Sequence, residues 1–98
     1  MDNSHLQARM TSKGFRVFLE GSYLTEAGFN HKVGYDISLY PVNGKVIIDL
    51  NSSGKRKVAG SIKRPVIDLQ SKKLSTVFTE GKVEVIFNHG KIEITQEV

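Results

Sequence analysis

The chain has 98 residues, no cysteine, 39% apolar residues and a formal net charge of +4. That length suits one domain with a small core, and the absence of cysteine excludes disulfides and thiolate chemistry. No apolar run approaches the roughly 20 residues of a membrane-spanning helix, so no membrane partner is expected.

The positive charge is unevenly placed. Residues 1–49 hold five basic and five acidic side chains, whereas residues 50–98 hold nine against five. Lys55, Arg56, Lys57, Lys63 and Arg64 supply most of the excess, with no acid between them. Such a cluster suits a polyanion. The plainer alternative is a solvated linker.

Residues 1–12 carry no periodicity and read as a mobile tail. They lack a signal-peptide core, which makes a cytoplasmic protein the expectation. Residues 13–50 form a first unit. Phe15, Val17 and Leu19 alternate with Arg16, Phe18 and Glu20, the period of a strand with one buried face. Gly21-Ser22 breaks it, with Ser22 as the expected helix N-cap. Tyr23, Leu24, Ala27 and Phe29 follow at helical spacing, and Gly28 ends the helix. Tyr23 and Phe29 are expected in the core, and Phe18 and Tyr40 on the less buried face. Ile37 and Leu39 resume the alternation. Asn43-Gly44 reads as a two-residue hairpin turn, after which Val46, Ile48 and Leu50 share a face.

Residues 51–62 form a basic connector, with a short extra strand expected near Lys57 to Ala59. Residues 63–96 then repeat the first unit. Val17, Leu19 and Leu24 match Ile67, Leu69 and Leu74 at an offset of 50. Ile37, Leu39, Gly44, Lys45, Val46 and Ile48 match Val83, Val85, Gly90, Lys91, Ile92 and Ile94 at an offset of 46. The four-residue difference falls in the Asn30 to Gly34 loop, where length varies cheaply. Ser71 should cap a second helix over 72–78, with Leu74, Val77 and Phe78 facing inward. Val83, Val85 and Phe87 mark the next strand, Asn88-His89-Gly90 the turn, and Ile92 and Ile94 the last strand. The expected fold is mainly β with two short helices, built as tandem β-α-β-β units.

No catalytic group stands out. His5, His31 and His89 lack metal-ligand spacing, so no metal or cofactor is expected. The nine glycines are scattered at turns rather than gathered in a phosphate loop. Asp68 reads as an outward-facing carboxylate, and Asp36 and Asp49 as residues at sheet ends. No nucleophile has a base placed by a motif, so the chain does not read as an enzyme.

The stretch Gly21-Ser22-Tyr23-Leu24-Thr25-Glu26-Ala27-Gly28-Phe29, followed by the 35–39 strand and the 43–48 hairpin, resembles the SymE-like branch of the AbrB/MazE superfamily. The resemblance covers residues 13–49 well, and 63–96 only through the repeat. It implies a swapped-hairpin barrel, here closed as a pseudo-dimer within one chain, either monomeric or as a homodimer of barrels. It also implies DNA binding in transcription regulation, with basic residues at the first strand and on the short helix facing DNA. Lys13 and Arg16 stand at that strand in unit one, but Leu24 and Thr25 replace the expected basic residues on its helix. Unit two offers Lys63, Arg64, Lys72 and Lys73. With Lys55, Arg56 and Lys57 these make nine candidate nucleic-acid contacts. The alternatives are a small protein-binding inhibitor, antitoxin-like or phage-derived, and a SymE-like toxin acting on RNA.

Overall fold

The computed structural model describes residues 2–7, 9–11, 14–78 and 82–96, with side chains over 15–78 and 83–96. Among the described residues ten strands form two sheets: β1 (Asp2–Gln7), β2 (Arg9–Thr11), β3 (Gly14–Glu20), β4 (Gly34–Tyr40), β5 (Lys45–Leu50), β6 (Arg56–Lys57), β7 (Ala59–Gly60), β8 (Pro65–Ser71), β9 (Lys82–Asn88) and β10 (Lys91–Gln96). One sheet runs β1-β9-β10-β5-β4-β6 and the other β2-β3-β8-β7. The described strands therefore end as two sheets, not as one closed barrel. The mainly-β expectation holds.

The two repeats pair with each other. β3 runs antiparallel to β8 with Phe18 opposite Asp68, and β5 runs antiparallel to β10 with Ile47 opposite Glu93. Both pairs are the matched positions of the repeats, at offsets of 50 and 46. Each half thus meets the other at equivalent residues, about an approximate twofold.

The inward faces follow the sequence alternation. Phe15, Val17 and Leu19 are buried, as are Val46, Ile48, Ile67, Leu69, Val83, Val85, Phe87, Ile92 and Ile94. Leu24, Phe29, Leu74, Val77 and Phe78 cover them from the two short helical segments and the residues that follow. Phe15 and Phe78 meet edge to face, with ring centroids 6.5 Å apart.

Several local expectations are corrected. Asp2–Gln7 and Arg9–Thr11 are strands where a tail without regular structure was expected: β1 pairs with β9 from Asp2↔Phe87 to Gln7↔Lys82, and β2 pairs with β3. Pairing along an open strand edge uses backbone groups and needs no side-chain period. The first helix, α1 (Ser22–Glu26), has Gly21 as its N-cap, at φ 91°, with no side-chain cap bond. Its end is as expected. Gly28 is left-handed at φ 91°, and the Phe29 and Gly28 N–H groups donate to Leu24 and Thr25 carbonyls. That is a Schellman ending, with Leu24 and Phe29 as its apolar pair.

The β4–β5 connection spans four residues, not two. Pro41–Asn43 make a 3-10 turn and Gly44 alone takes positive φ, at 60°. The fixed φ of Pro41 suits the start of that turn. The second helical segment is a 3-10 helix, Lys72–Thr76, shorter than expected. Ser71 does cap it, its Oγ accepting from the Lys73 N–H at 3.1 Å. The Thr76 hydroxyl donates to the Lys73 carbonyl, and β-branched Thr76 and Val77 disfavour further helix. Tyr23 is 42% exposed rather than core, lying stacked on Phe87 at 5.2 Å.

The connector is built into the fold. β6 adds to β4 through Gly34↔Lys57 and Tyr35↔Arg56, and β7 adds to β8 through Ala59↔Val66 and Gly60↔Pro65. Val58 is the corner between the sheets, 1% exposed. Its N–H donates to the Val33 carbonyl, and its carbonyl accepts from the Lys32 N–H. The extra strand expected near Lys57 to Ala59 is thus two short strands, one in each sheet.

Candidate nucleic-acid interface

The nine candidate residues fall into separate groups. Lys13 lies outside the described residues. Arg16 is half-buried on the outer face of β3, and its guanidinium is engaged. Nε and one terminal N–H donate to the two Asp68 carboxylate oxygens, each at 3.0 Å. The group also sits 5.1 Å from the Phe18 ring centroid. This fork raises the Arg16 pKa above its ordinary value, chiefly by the hydrogen bond to Asp68 and then by its charge. The Arg16 position expected to face DNA therefore already holds a carboxylate partner.

Lys63 and Arg64 belong to the β7–β8 turn. Ser61 and Arg64 exchange backbone hydrogen bonds there, which puts Ile62 and Lys63 at the tip; Ile62 is 86% exposed. Arg64 Nε lies 3.9 Å from Glu20 Oε2. Lys72 and Lys73 follow the opposite end of β8. Its seven residues span roughly 23 Å at strand rise, so the Lys63–Arg64 and Lys72–Lys73 pairs cannot act on one phosphate.

Lys73 instead shares a cavity with the connector. A cavity of about 430 Å³ lies between the sheets, where β4 approaches the end of β8. Lys55 and Arg56 line it from the connector, and Lys73 from the 3-10 helix. Ile37, Leu39, Leu69 and Leu74 contribute apolar surface, and Tyr35, Ser53, Gln70 and Ser71 polar groups. Asp36 is the one carboxylate among the lining residues. It accepts from Asn51 Nδ2 at 2.6 Å. Lys57 turns to the other side of its short strand and lies over Gly34, where a Cβ would stand 3.0 Å from Nζ.

Tyr35 is 4% exposed. Burial raises its phenol pKa above the ordinary value, the nearby Arg56 charge opposes this, and Asp68 adds to it. The hydroxyl therefore stays protonated at neutral pH.

Sequence reasoning named the three cations of this cavity but not its walls. Ile37 and Leu39 had a signal, their alternation, which marked a core face. They are only partly buried because the cavity opens over them. Asp36 and Asp49, expected at sheet ends, face each other across β4 and β5, one pair in from Tyr35↔Leu50. Among the described residues, no group of three or more His, Asp or Glu side chains is arranged to hold a metal ion. No helix among them is long and apolar enough to cross a membrane. The chain matches no family model, no curated protein and no solved structure.

Proposed function

We propose that this protein is a DNA-binding regulatory module that holds phosphates with Lys55, Arg56 and Lys73. One observation carries the reading: these cations come from the connector and from the second repeat, yet line the same cavity. Asp36, the one carboxylate among the described lining residues, is already hydrogen-bonded to Asn51. Phosphate contacts of this kind supply affinity and make it strongly salt-dependent. They position the protein and carry no base readout. The pairing of the repeats at matched residues supports the finer reading of an AbrB- or SymE-like pseudo-dimer with exchanged hairpins. The reading is of a binding module, not an enzyme.

The test is an anisotropy titration of a labelled duplex at low salt, repeated as salt rises. Saturable binding that weakens steeply with salt supports the proposal, and no binding at low salt removes it. A second reading, a protein-binding inhibitor, draws on Ile62, an apolar side chain 86% exposed beside Lys63 and Arg64. Capture of a stoichiometric protein partner from the native host, without nucleic acid, would favour it.

A further inference from the structure

The cavity between the sheets has an apolar floor beneath a charged rim, and phosphate contacts at the rim leave that floor unexplained. Ile37 and Leu39 of β4 present hydrocarbon to the opening, and the buried Leu69 and Leu74 line it more deeply. Ile37 and Leu39 pack against the core on one side and remain only partly buried. A volume of about 430 Å³ falls within the range of small-molecule sites, roughly 300–1,000 Å³, which are mostly apolar with a few placed polar groups.

We infer that the cavity binds a small amphipathic anion, a phosphate monoester head on a compact apolar body, with the head at Lys55, Arg56 and Lys73 and the body over Ile37 and Leu39. Charge selects the head. Three lining cations stand against one lining carboxylate, an excess of two positive charges, which a dianionic phosphate monoester balances better than a carboxylate. Arg56 supplies a planar fork suited to phosphate oxygens, and the two lysines supply mobile point charges. Shape and hydrocarbon select the body, since an ion alone would leave the floor facing water.

This inference goes beyond the DNA reading and stands separately from it. The two share the same cations, so the small anion competes with duplex wherever both bind. Occupancy of the cavity would then release DNA, which gives a regulatory module its effector.

The experiment is a fluorescence titration of the full chain with 1-naphthyl phosphate, alongside inorganic phosphate and 1-naphthol. The expected result is saturable binding at one site, tighter than either fragment by at least about tenfold, because head and body each contribute. Leu39→Ser and Lys73→Glu should each weaken it by about tenfold or more, and Leu39→Ser should leave duplex binding in place. Should Leu39→Ser fail to fold, Lys73→Glu, at an exposed position of the 3-10 helix, and the comparison of the three probes decide the matter. Absent binding, equal affinity for inorganic phosphate and naphthyl phosphate, or indifference to Lys73→Glu each overturns the inference. Duplex binding without naphthyl phosphate binding overturns this inference alone, and the converse result overturns only the DNA reading.

Discussion

Phe18 lies directly across β3 and β8 from Asp68, and the two are also counterpart positions of the repeats, fifty residues apart. One repeat places an aromatic ring at this point of the approximate twofold and the other a carboxylate. Arg16 serves both, forking onto Asp68 while lying over the Phe18 ring. Its own counterpart is Val66, so the interaction has no mirror image. The two halves share a core pattern but have diverged on the outer face. Arg16, the first-strand cation expected to meet DNA, is occupied within the fold.

The same pairing predicts how the chain folds. β3–β8 and β5–β10 both join one half to the other, so each half alone exposes the face that the other covers. Residues 1–52 and 53–98 expressed separately should lack cooperative unfolding, and mixing them should restore it. Cooperative unfolding of either fragment alone would contradict this.

Tyr23 and Phe29 should separate sharply. Phe29 is fully buried, and Phe29→Ala should cost about 3–5 kcal/mol. Tyr23 keeps 42% of its surface in water and stacks on Phe87, so Tyr23→Ala should cost about 1 kcal/mol. Urea unfolding of the two variants checks the difference, and equal losses would place Tyr23 in the core after all.

The connector can be tested through Gly60, with Gly21 of the first unit as the reference. Gly60 has φ 85°, and an added Cβ would clash with the Arg64 carbonyl oxygen. Gly21 has φ 91° with open space around it. Gly21→Ala should cost about 1–3 kcal/mol from backbone strain alone, since φ 91° with ψ −155° is a region essentially confined to glycine. Gly60→Ala should cost about 2–4 kcal/mol, because the β7–β8 turn must also move. A Gly60→Ala variant as stable as the parent would mean that the connector is a loose linker.

How much of this was legible in the sequence depends on what carries each feature. The strand of Phe15, Val17 and Leu19 was readable because burial on one face writes a period of two. The Schellman ending at Gly28 was readable because a left-handed residue favours glycine. β1 was not, because pairing with β9 relies on backbone groups that every residue has. Tyr23 was misplaced because helical spacing says which face a ring occupies, not whether anything covers it. The cavity was hidden for a different reason. Lys55 and Arg56 stand far from Lys73 in sequence, and only the turn from one sheet to the other at Val58 brings them together.

Alkaline pH probes the wall of the cavity. The Tyr35 phenol is raised, first by burial, so the folded chain holds this proton more tightly than the unfolded one. Its contribution to stability is complete below the ordinary phenol value of about 10 and is lost as pH rises through the folded value. Tyr35→Phe should reduce that alkaline loss, as read from urea midpoints across the range. Arg56→Ala should move the ionisation higher still, since the Arg56 charge opposes the shift. A Tyr35→Phe variant with the same alkaline decline as the parent would count against a buried phenol.

The most direct measurement of the central claim is the salt dependence of duplex binding in two variants. One replaces Lys55, Arg56 and Lys73 with alanine, and the other replaces Lys63 and Arg64. If the cavity cations hold the phosphates, the triple variant should lower the slope of log affinity against log salt by about three, roughly one for each cation replaced. The turn variant should change it little. A turn variant that abolishes the salt dependence while the triple variant keeps it would contradict the account and move the interface to the far end of β8.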